Sequence, residues 1–456
     1  MKFHPTFDPG FQPLILTLRD YVRRAESGAH HTLTLVVERN NGYNYTYTLP
    51  ISEDPAELPL TLRLSERLLK NLLWLIGGFR VYVCGDERVF AHLRDAYSAT
   101  GPRAFDCEFV RSVYEHPLEI LSVTPDRLPA PRSCSLSVGG HLDGCRIGFD
   151  AGGSDRKVSA VIDGETVYSE EVVWYPKLNS DPSYHYEGIL EAMKTAASKM
   201  PRVDAIGVSS AGVYVDNRIM VASLFIKVGK QDYDAHVKNM YIDVAREVAP
   251  GAPLQVANDG DVTALAGAMS LGEGRVFGIA MGTSEAGGYI NAEGGLNGWL
   301  TEPAFIPIDL NPDAAPADEW SGDVGCGVKY FSQDGVIKLA EAGGYRFEEG
   351  LSPAEKLKVI QKEMKEGNPL ARTVYEDIGI YLGYALPQYA LFYDIRHVLL
   401  LGRVTSGEGG EIIVAKAKEV LAAEFPELDF VPEMPDEKSR RVGQSIAAAS
   451  LPESRR

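Results

Sequence analysis

Four short segments of this 456-residue chain carry residues whose types and spacing could do chemistry. In Asp150-Ala151-Gly152-Gly153-Ser154-Asp155, adjacent glycines let backbone N–H groups approach phosphate oxygens, and Asp150 can hold Mg²⁺ directly or through water. A glycine-rich turn between strands explains the same letters. Met281-Gly282-Thr283-Ser284-Glu285-Ala286-Gly287-Gly288 repeats the pattern after another apolar run, with hydroxyls and glycines suited to gripping terminal phosphates. From Leu401 to Gly410, small residues including Gly402 and Gly407 leave room for an adenosine where a strand meets a helix; a plain strand-to-helix loop has the same composition. Between the first two loops, LQVANDGDVTAL (254 to 265) delivers Asn258 and Asp259 to the start of an Ala-rich helix. There Asp259 can accept a proton from a hydroxyl, or else Asp259 or Asp261 caps the helix.

The elements that must position these residues follow from hydrophobic periodicity. Residues 13 to 28 read as a helix, and residues 32 to 51 as a hairpin around Asn40-Asn41-Gly42. A helix over 64 to 78 with a glycine stop, a strand FRVYVCGD, a helix ERVFAHLRDAYSATG and a strand FDCEFVRSVY complete an α+β region, 1–121. The Pro-, Ser- and Gly-rich stretch 122–145 is the linker. Beyond it, strands alternate with helices. CRIGFDAGG, VDAIGVSSAG, LQVANDG, RVFGIAMGT and HVLLLGR are apolar runs ending in Gly, Asn, Asp or Thr, as in parallel sheets with sites at strand ends.

Composition narrows the function further. With 45 Lys plus Arg against 63 Asp plus Glu, the formal charge of −18 disfavours a nucleic-acid partner. No run approaches the length of a membrane span, and the polar opening MKFHPTFDPG is unlike a signal peptide, so a cytoplasmic location is expected. The five cysteines (84, 107, 134, 145 and 326) contain no C-x-x-C pair and read as reduced, buried thiols.

In the order and content of these motifs, residues 146 to 456 resemble the ROK family of bacterial sugar kinases and sugar-responsive repressors. RIGFDAGGSD is similar to its first phosphate motif, NDGDVTALAG to its catalytic segment, GIAMGTSEAGGYI to its second phosphate motif and LLLGRVTSGEGGE to its adenosine motif. RRVGQSIAAASL is similar to its C-terminal helix, with Gly443 at the small-residue position. The resemblance implies α/β architecture: two actin-like, ribonuclease H-like lobes around a cleft, with the N-terminal α+β domain appended. The small lobe would comprise 146–257 and 431–456, and the large lobe 258–430. It implies a kinase using ATP and Mg²⁺ on a small sugar-like substrate. Asp259 would be the base, Asn258 and Glu302 would contact substrate, and Asp150 would serve the metal. Gly152, Gly153, Ser154, Gly282, Thr283, Ser284, Gly402 and Gly407 would contact the nucleotide.

Departures from the family pattern shape the expectation. TEPAFIPID keeps Glu302 but has Phe305 in place of the family's zinc-binding His, and of the zinc cysteines Cys326 alone remains, so no structural zinc is expected. Gly327 and Val328 replace a second sugar-binding carboxylate, and the usual sugar-loop Asn is not evident near Ser223 to Phe225. An unusual hexose, amino sugar or cyclic polyol is therefore the expected substrate. Asp155 and Glu285 bring negative charge toward the phosphate loops. The alternative is a non-catalytic sugar-sensing regulator or interaction protein, with the N-terminal region as a lid or a module for a possible homodimer.

Overall fold

The computed structural model describes residues 1–133, 139–314, 316–435 and 443–453. Cys134, part of the linker stretch and the Arg440–Val442 start of the C-terminal segment lie outside the described residues. The chain divides into two compact units: Met1–Cys134, Ile279–Gly287 and Trp299–Met434 form the first, and Ser135–Gly278, Gly288–Gly298 and Pro435–Arg456 the second.

The second unit is built on a five-stranded sheet in the order Leu254–Asn258, Ala205–Ser210, Cys145–Ala151, Asp155–Ile162, Glu165–Val173. Cys145–Ala151 is buried along its whole length, including Arg146 and Asp150, as expected of a strand inside a sheet covered on both faces. It pairs in parallel with Ala205–Ser210 and antiparallel with Asp155–Ile162. Glycines inside these strands have a packing purpose. A Cβ on Gly148 would lie 1.6 Å from the Ser445 carbonyl oxygen, and one on Gly207 1.7 Å from that of Ala448, so the helix Gln444–Ala449 rests directly on the sheet backbone. Gln444 also donates to Thr263 Oγ1 at 2.6 Å, tying that helix to Asp259–Leu271. Asp259–Gly278 thus belongs to the same unit as the strands before it, whereas the lobe boundary expected from sequence falls at 258.

The first unit contains a four-stranded sheet in the order Asn44–Ser52, His30–Glu38, Arg80–Cys84, Glu119–Ser122. The expected hairpin is present, with Asn41 at φ 59° in its turn. The expected strand FDCEFVRSVY is instead the helix Ala104–Tyr114, and the fourth strand comes later, at Glu119–Ser122. Aromatic and β-branched residues suggested a strand, but Phe105 and Phe109 are one helical turn apart. That spacing sets both rings parallel to Trp74, with centroids 6.2 and 4.0 Å away, while Asp106 between them accepts the Trp74 Nε1–H at 2.7 Å.

Residues 1–121 are therefore not a compact unit of their own. Long-range polar pairs bind them to 299–434. Arg67, Lys70 and Arg103 converge on Asp323, at 2.8, 2.6 and 2.8 Å. Burial alone would raise the Asp323 carboxyl; the charges of Arg67, Lys70 and Arg103 outweigh it and hold the group well below the usual range. Removing one member of such a buried cluster typically costs about 3–5 kcal/mol, because the others remain buried without compensation. Asp377 accepts the N–H groups of Thr6 and Phe7 at 2.7 and 2.8 Å, which fastens the N-terminal segment to the long helix Pro369–Tyr389. A further sheet runs Glu285–Ile290, Val276–Met281, His397–Leu401, Val431–Glu433. Among the described residues, no helix is long and apolar enough to cross a membrane.

Candidate active site

In the second unit, Asp150 lies near the end of Cys145–Ala151, buried and in register with Ser209. Burial pushes its carboxyl up to about 6, Ser209 pulls it down, and the charge of Asp259 raises it further. The strand Leu254–Asn258 hands over directly to the helix Asp259–Leu271. Its cap is Asn258, and neither aspartate. Asn258 Oδ1 accepts the Gly260 N–H at 2.7 Å, and its Nδ2 donates to the Gly212 carbonyl at 2.7 Å.

The cap leaves the two aspartates with different tasks. Asp261 Oδ1 accepts the Tyr289 N–H at 3.1 Å; burial pushes this carboxyl up to about 7, and the charge of Asp259 adds to the shift. Asp259 Oδ1 has a local contact with the Gly260 N–H at 3.0 Å, and Oδ2 has no hydrogen-bond partner among the described residues. Burial raises its pKa, while the Gly260 N–H and the charge of Lys177 pull the other way.

The first glycine loop is supported from the segment after Glu165–Val173. Trp174 Nε1 donates to the Gly152 carbonyl at 2.7 Å, and Ser154 Oγ donates to Asp155 Oδ2 at 3.0 Å. A Cβ on Gly153 would lie 3.3 Å from Lys177 Cε and 3.5 Å from its Nζ, so this ammonium stands at the loop. Lys177 sits in the short turn Pro176–Leu178, whose Pro176 carbonyl is 3.0 Å from the buried His185 Nε2. Sequence reading missed Lys177. The Trp-Tyr-Pro before it marks a turn but says nothing of which loop the turn covers.

In the first unit, Gly282 spends its N–H on the Ser284 carbonyl at 2.9 Å and its own carbonyl on the Gln333 N–H at 2.9 Å. The side chains of Thr283 and Ser284 are exposed. The later glycines of this motif serve packing: a Cβ on Gly287 would meet the Pro303 ring at 2.9 Å, and one on Gly288 would lie 2.1 Å from the Gly260 carbonyl oxygen. Glu285 departs from the expected charged intruder. It is 3% exposed and turned inward, with Oε1 accepting from Tyr389 OH at 2.9 Å and Oε2 without a partner among the described residues. A Cβ on Gly327 would lie 2.3 Å from that Oε2, so the glycine makes room for it. Burial pushes Glu285 up to about 8, which leaves it mainly protonated at pH 7 and removes its charge from the loop.

Gly402 follows His397–Leu401 at φ +95°, and a Cβ there would lie 2.3 Å from the Met281 carbonyl oxygen. Gly407, at φ +72°, begins the helix Glu408–Glu424 with open space around it. Between them, Arg403 Nη2 donates to Thr283 Oγ1 at 3.0 Å, another contact that sequence spacing did not reveal. Glu302 is half-buried, its N–H bonded to the Trp74 carbonyl at 3.0 Å. Phe305, in place of the family's His, stacks on Trp74 with centroids 4.3 Å apart. Cys326 is fully buried near Lys70, and burial pushes its thiol up to about 12. Among the described residues, no three His, Cys, Asp or Glu side chains are grouped to hold a metal ion.

The structure thus brings Asp150, Asp259 and Lys177 together around the first loop, and Gly282, Thr283, Gly402 and Arg403 together around the second. A ROK hexokinase from Thermus thermophilus superposes with a TM-score of 0.52 at 17% identity, over 67% of this chain and 97% of that chain. Over that span the chain has the fold of this hexokinase. The actin-like α/β architecture implied by the sequence is therefore its architecture. Other ROK structures similar to it include a glucokinase from Streptomyces griseus in complex with glucose and AMPPNP (20% identity, 67% of this chain and 98% of that chain, TM-score 0.48). A ROK transcriptional regulator, a homologue of the E. coli MLC protein, matches at 17% identity over 68% of this chain and 78% of that chain, with a TM-score of 0.48. The sequence matches no family model and no curated protein.

Proposed function

We propose that the chain is an ATP-dependent kinase acting on a hydroxyl of a sugar, amino sugar or cyclic polyol. The observation that carries this reading is the separation of roles from 258 to 261. Asn258 caps the helix and Asp261 holds the Tyr289 N–H, while Asp259 keeps a carboxylate oxygen without a hydrogen bond among the described residues. A carboxylate placed at a strand end and spared from structural work is suited to accept a hydroxyl proton. That a hexokinase shares the fold supports the same reading.

In this proposal Asp259 takes the proton of the attacking hydroxyl, and Asn258 and Glu302 orient the substrate. Asp150 fits a Mg²⁺ site, since that ion commonly takes one or two carboxylates and keeps several waters, and a cation would relieve the repulsion between Asp150 and Asp259. Bound ATP with Mg²⁺ would supply the phosphoryl group and neutralise its charge. Gly152, Gly153, Ser154, Gly282, Thr283, Ser284, Gly402 and Gly407 are the proposed nucleotide contacts. Gly282 and Gly402 would contribute loop shape, because the Gly282 N–H is taken and Gly402 is held against Met281. The chain's own contribution is then mostly positioning and proton transfer.

The test is a panel of sugars, amino sugars and polyols. Stabilisation by each would be read as a shift in melting temperature with a non-hydrolysable ATP analogue, followed by mass-spectrometric detection of phosphorylated product with ATP. Product from at least one compound is the expected result. Nucleotide and sugar binding without product would favour the sensor reading, which one observation supports: each polar end of Asn258 already makes a hydrogen bond within the protein, leaving one N–H and one lone pair for a substrate.

A further inference from the structure

We infer that Arg403 binds the β- and γ-phosphates of the nucleotide at the second glycine loop. This rests on the kinase reading and adds a residue to its site. The segment from Met281 to Gly288 contains no Lys or Arg, so any cation there must come from another part of the chain. Backbone packing supplies one. Gly402 closes against Met281, and the next residue but one, Val404, donates its N–H to the Met281 carbonyl at 3.0 Å. Arg403 lies between these two anchors, and Gln361 Nε2 fixes its carbonyl at 2.6 Å. Its guanidinium reaches Thr283 Oγ1, the exposed hydroxyl of the loop.

The charge of Arg403 is not consumed by the protein. A guanidinium carries five N–H donors. One is given to Thr283, and no carboxylate lies within ion-pair distance of Arg403 among the described residues. This is notable in a chain with 63 acidic and 45 basic residues. The acid nearest in sequence to the loop, Glu285, is turned inward and protonated at neutral pH, so it does not quench the guanidinium. As acceptor for Arg403, Thr283 Oγ1 retains its own O–H for donation. An arginine fork and a hydroxyl donor side by side match the oxygens of a phosphate chain.

Calorimetric titration of the full chain with AMP, ADP and AMPPNP, each with Mg²⁺, tests the inference on wild type, Arg403→Ala and Arg403→Lys. Arg403→Ala should weaken ADP and AMPPNP by about 10- to 100-fold, as for loss of charge-assisted hydrogen bonds. AMP should weaken by less than about threefold, Arg403→Lys should recover part of the loss, and all three proteins should melt together. Equal losses for AMP, ADP and AMPPNP would overturn the inference. So would nucleotide affinity unchanged in Arg403→Ala, which would leave the kinase reading standing. Wild type that binds no nucleotide would overturn both.

Discussion

After Asp150 the chain turns through Gly152 and Gly153 with its acids kept at the site, Asp259 close enough for its charge to resist ionisation of Asp150. After Met281 it turns through Gly282 with its acid, Glu285, folded inward beneath Tyr389. Nearly the same letters therefore produce a loop rich in carboxylates in one unit and a loop stripped of charge in the other. Each is approached by a cation from a later segment, Lys177 at the first and Arg403 at the second. A glycine motif sets the shape of a loop, whereas its charge is decided by what packs around it.

The largest expected effect probes the acid side of this comparison. Asp259→Asn should lower turnover by about 10² to 10⁴, the usual range for a lost general base, while leaving nucleotide affinity and melting temperature nearly unchanged. Asp261→Asn should instead show near-normal turnover, since an amide oxygen can still accept the Tyr289 N–H and the side chain has no part in the proton transfer. Rate measurements and melting curves on both variants decide this. Loss of turnover in Asp261→Asn with Asp259→Asn active would move the base by two residues.

The second loop is tested through stability. The folded pKa of Glu285, about 8, lies above its ordinary value of 4.5, so the folded state holds a proton that the unfolded state releases. Stability is therefore lost as pH rises from about 4.5 through 8. Glu285→Gln removes the titration. It should be near neutral at pH 5 and more stable than wild type by on the order of 1–3 kcal/mol at pH 8, read by denaturant unfolding. Parallel curves for Glu285→Gln and wild type would mean that Glu285 is ionised after all and charges the loop.

The smallest expected effect concerns Lys177. Its charge pulls the Asp259 pKa down. Lys177→Met should therefore move the acidic limb of the kcat/KM profile to higher pH, with the plateau reached later. An unmoved limb, or one displaced to lower pH, would separate Lys177 from Asp259.

Much of the scaffold was readable locally. Cys145–Ala151, Leu254–Asn258, Val276–Met281 and His397–Leu401 are short apolar runs punctuated by Gly, Asn or Asp, and both the runs and their ends follow from neighbours in the chain. That information placed Asp150, Asn258 and Asp259 at strand ends. Tertiary structure decided how those ends are used. Asn258 caps because Gly260 and Gly212 present a donor and an acceptor to it, which leaves Asp259 Oδ2 without a hydrogen bond among the described residues. Glu285 turns inward because Tyr389, far along the chain, offers a hydroxyl and Gly327 offers room. The helix Ala104–Tyr114 was hidden because its aromatic residues suit either element until Trp74 supplies a surface one turn wide. Lys177 and Arg403 were equally invisible, since a side chain's charge is written in the sequence but the backbone folding that aims it depends on contacts between distant residues.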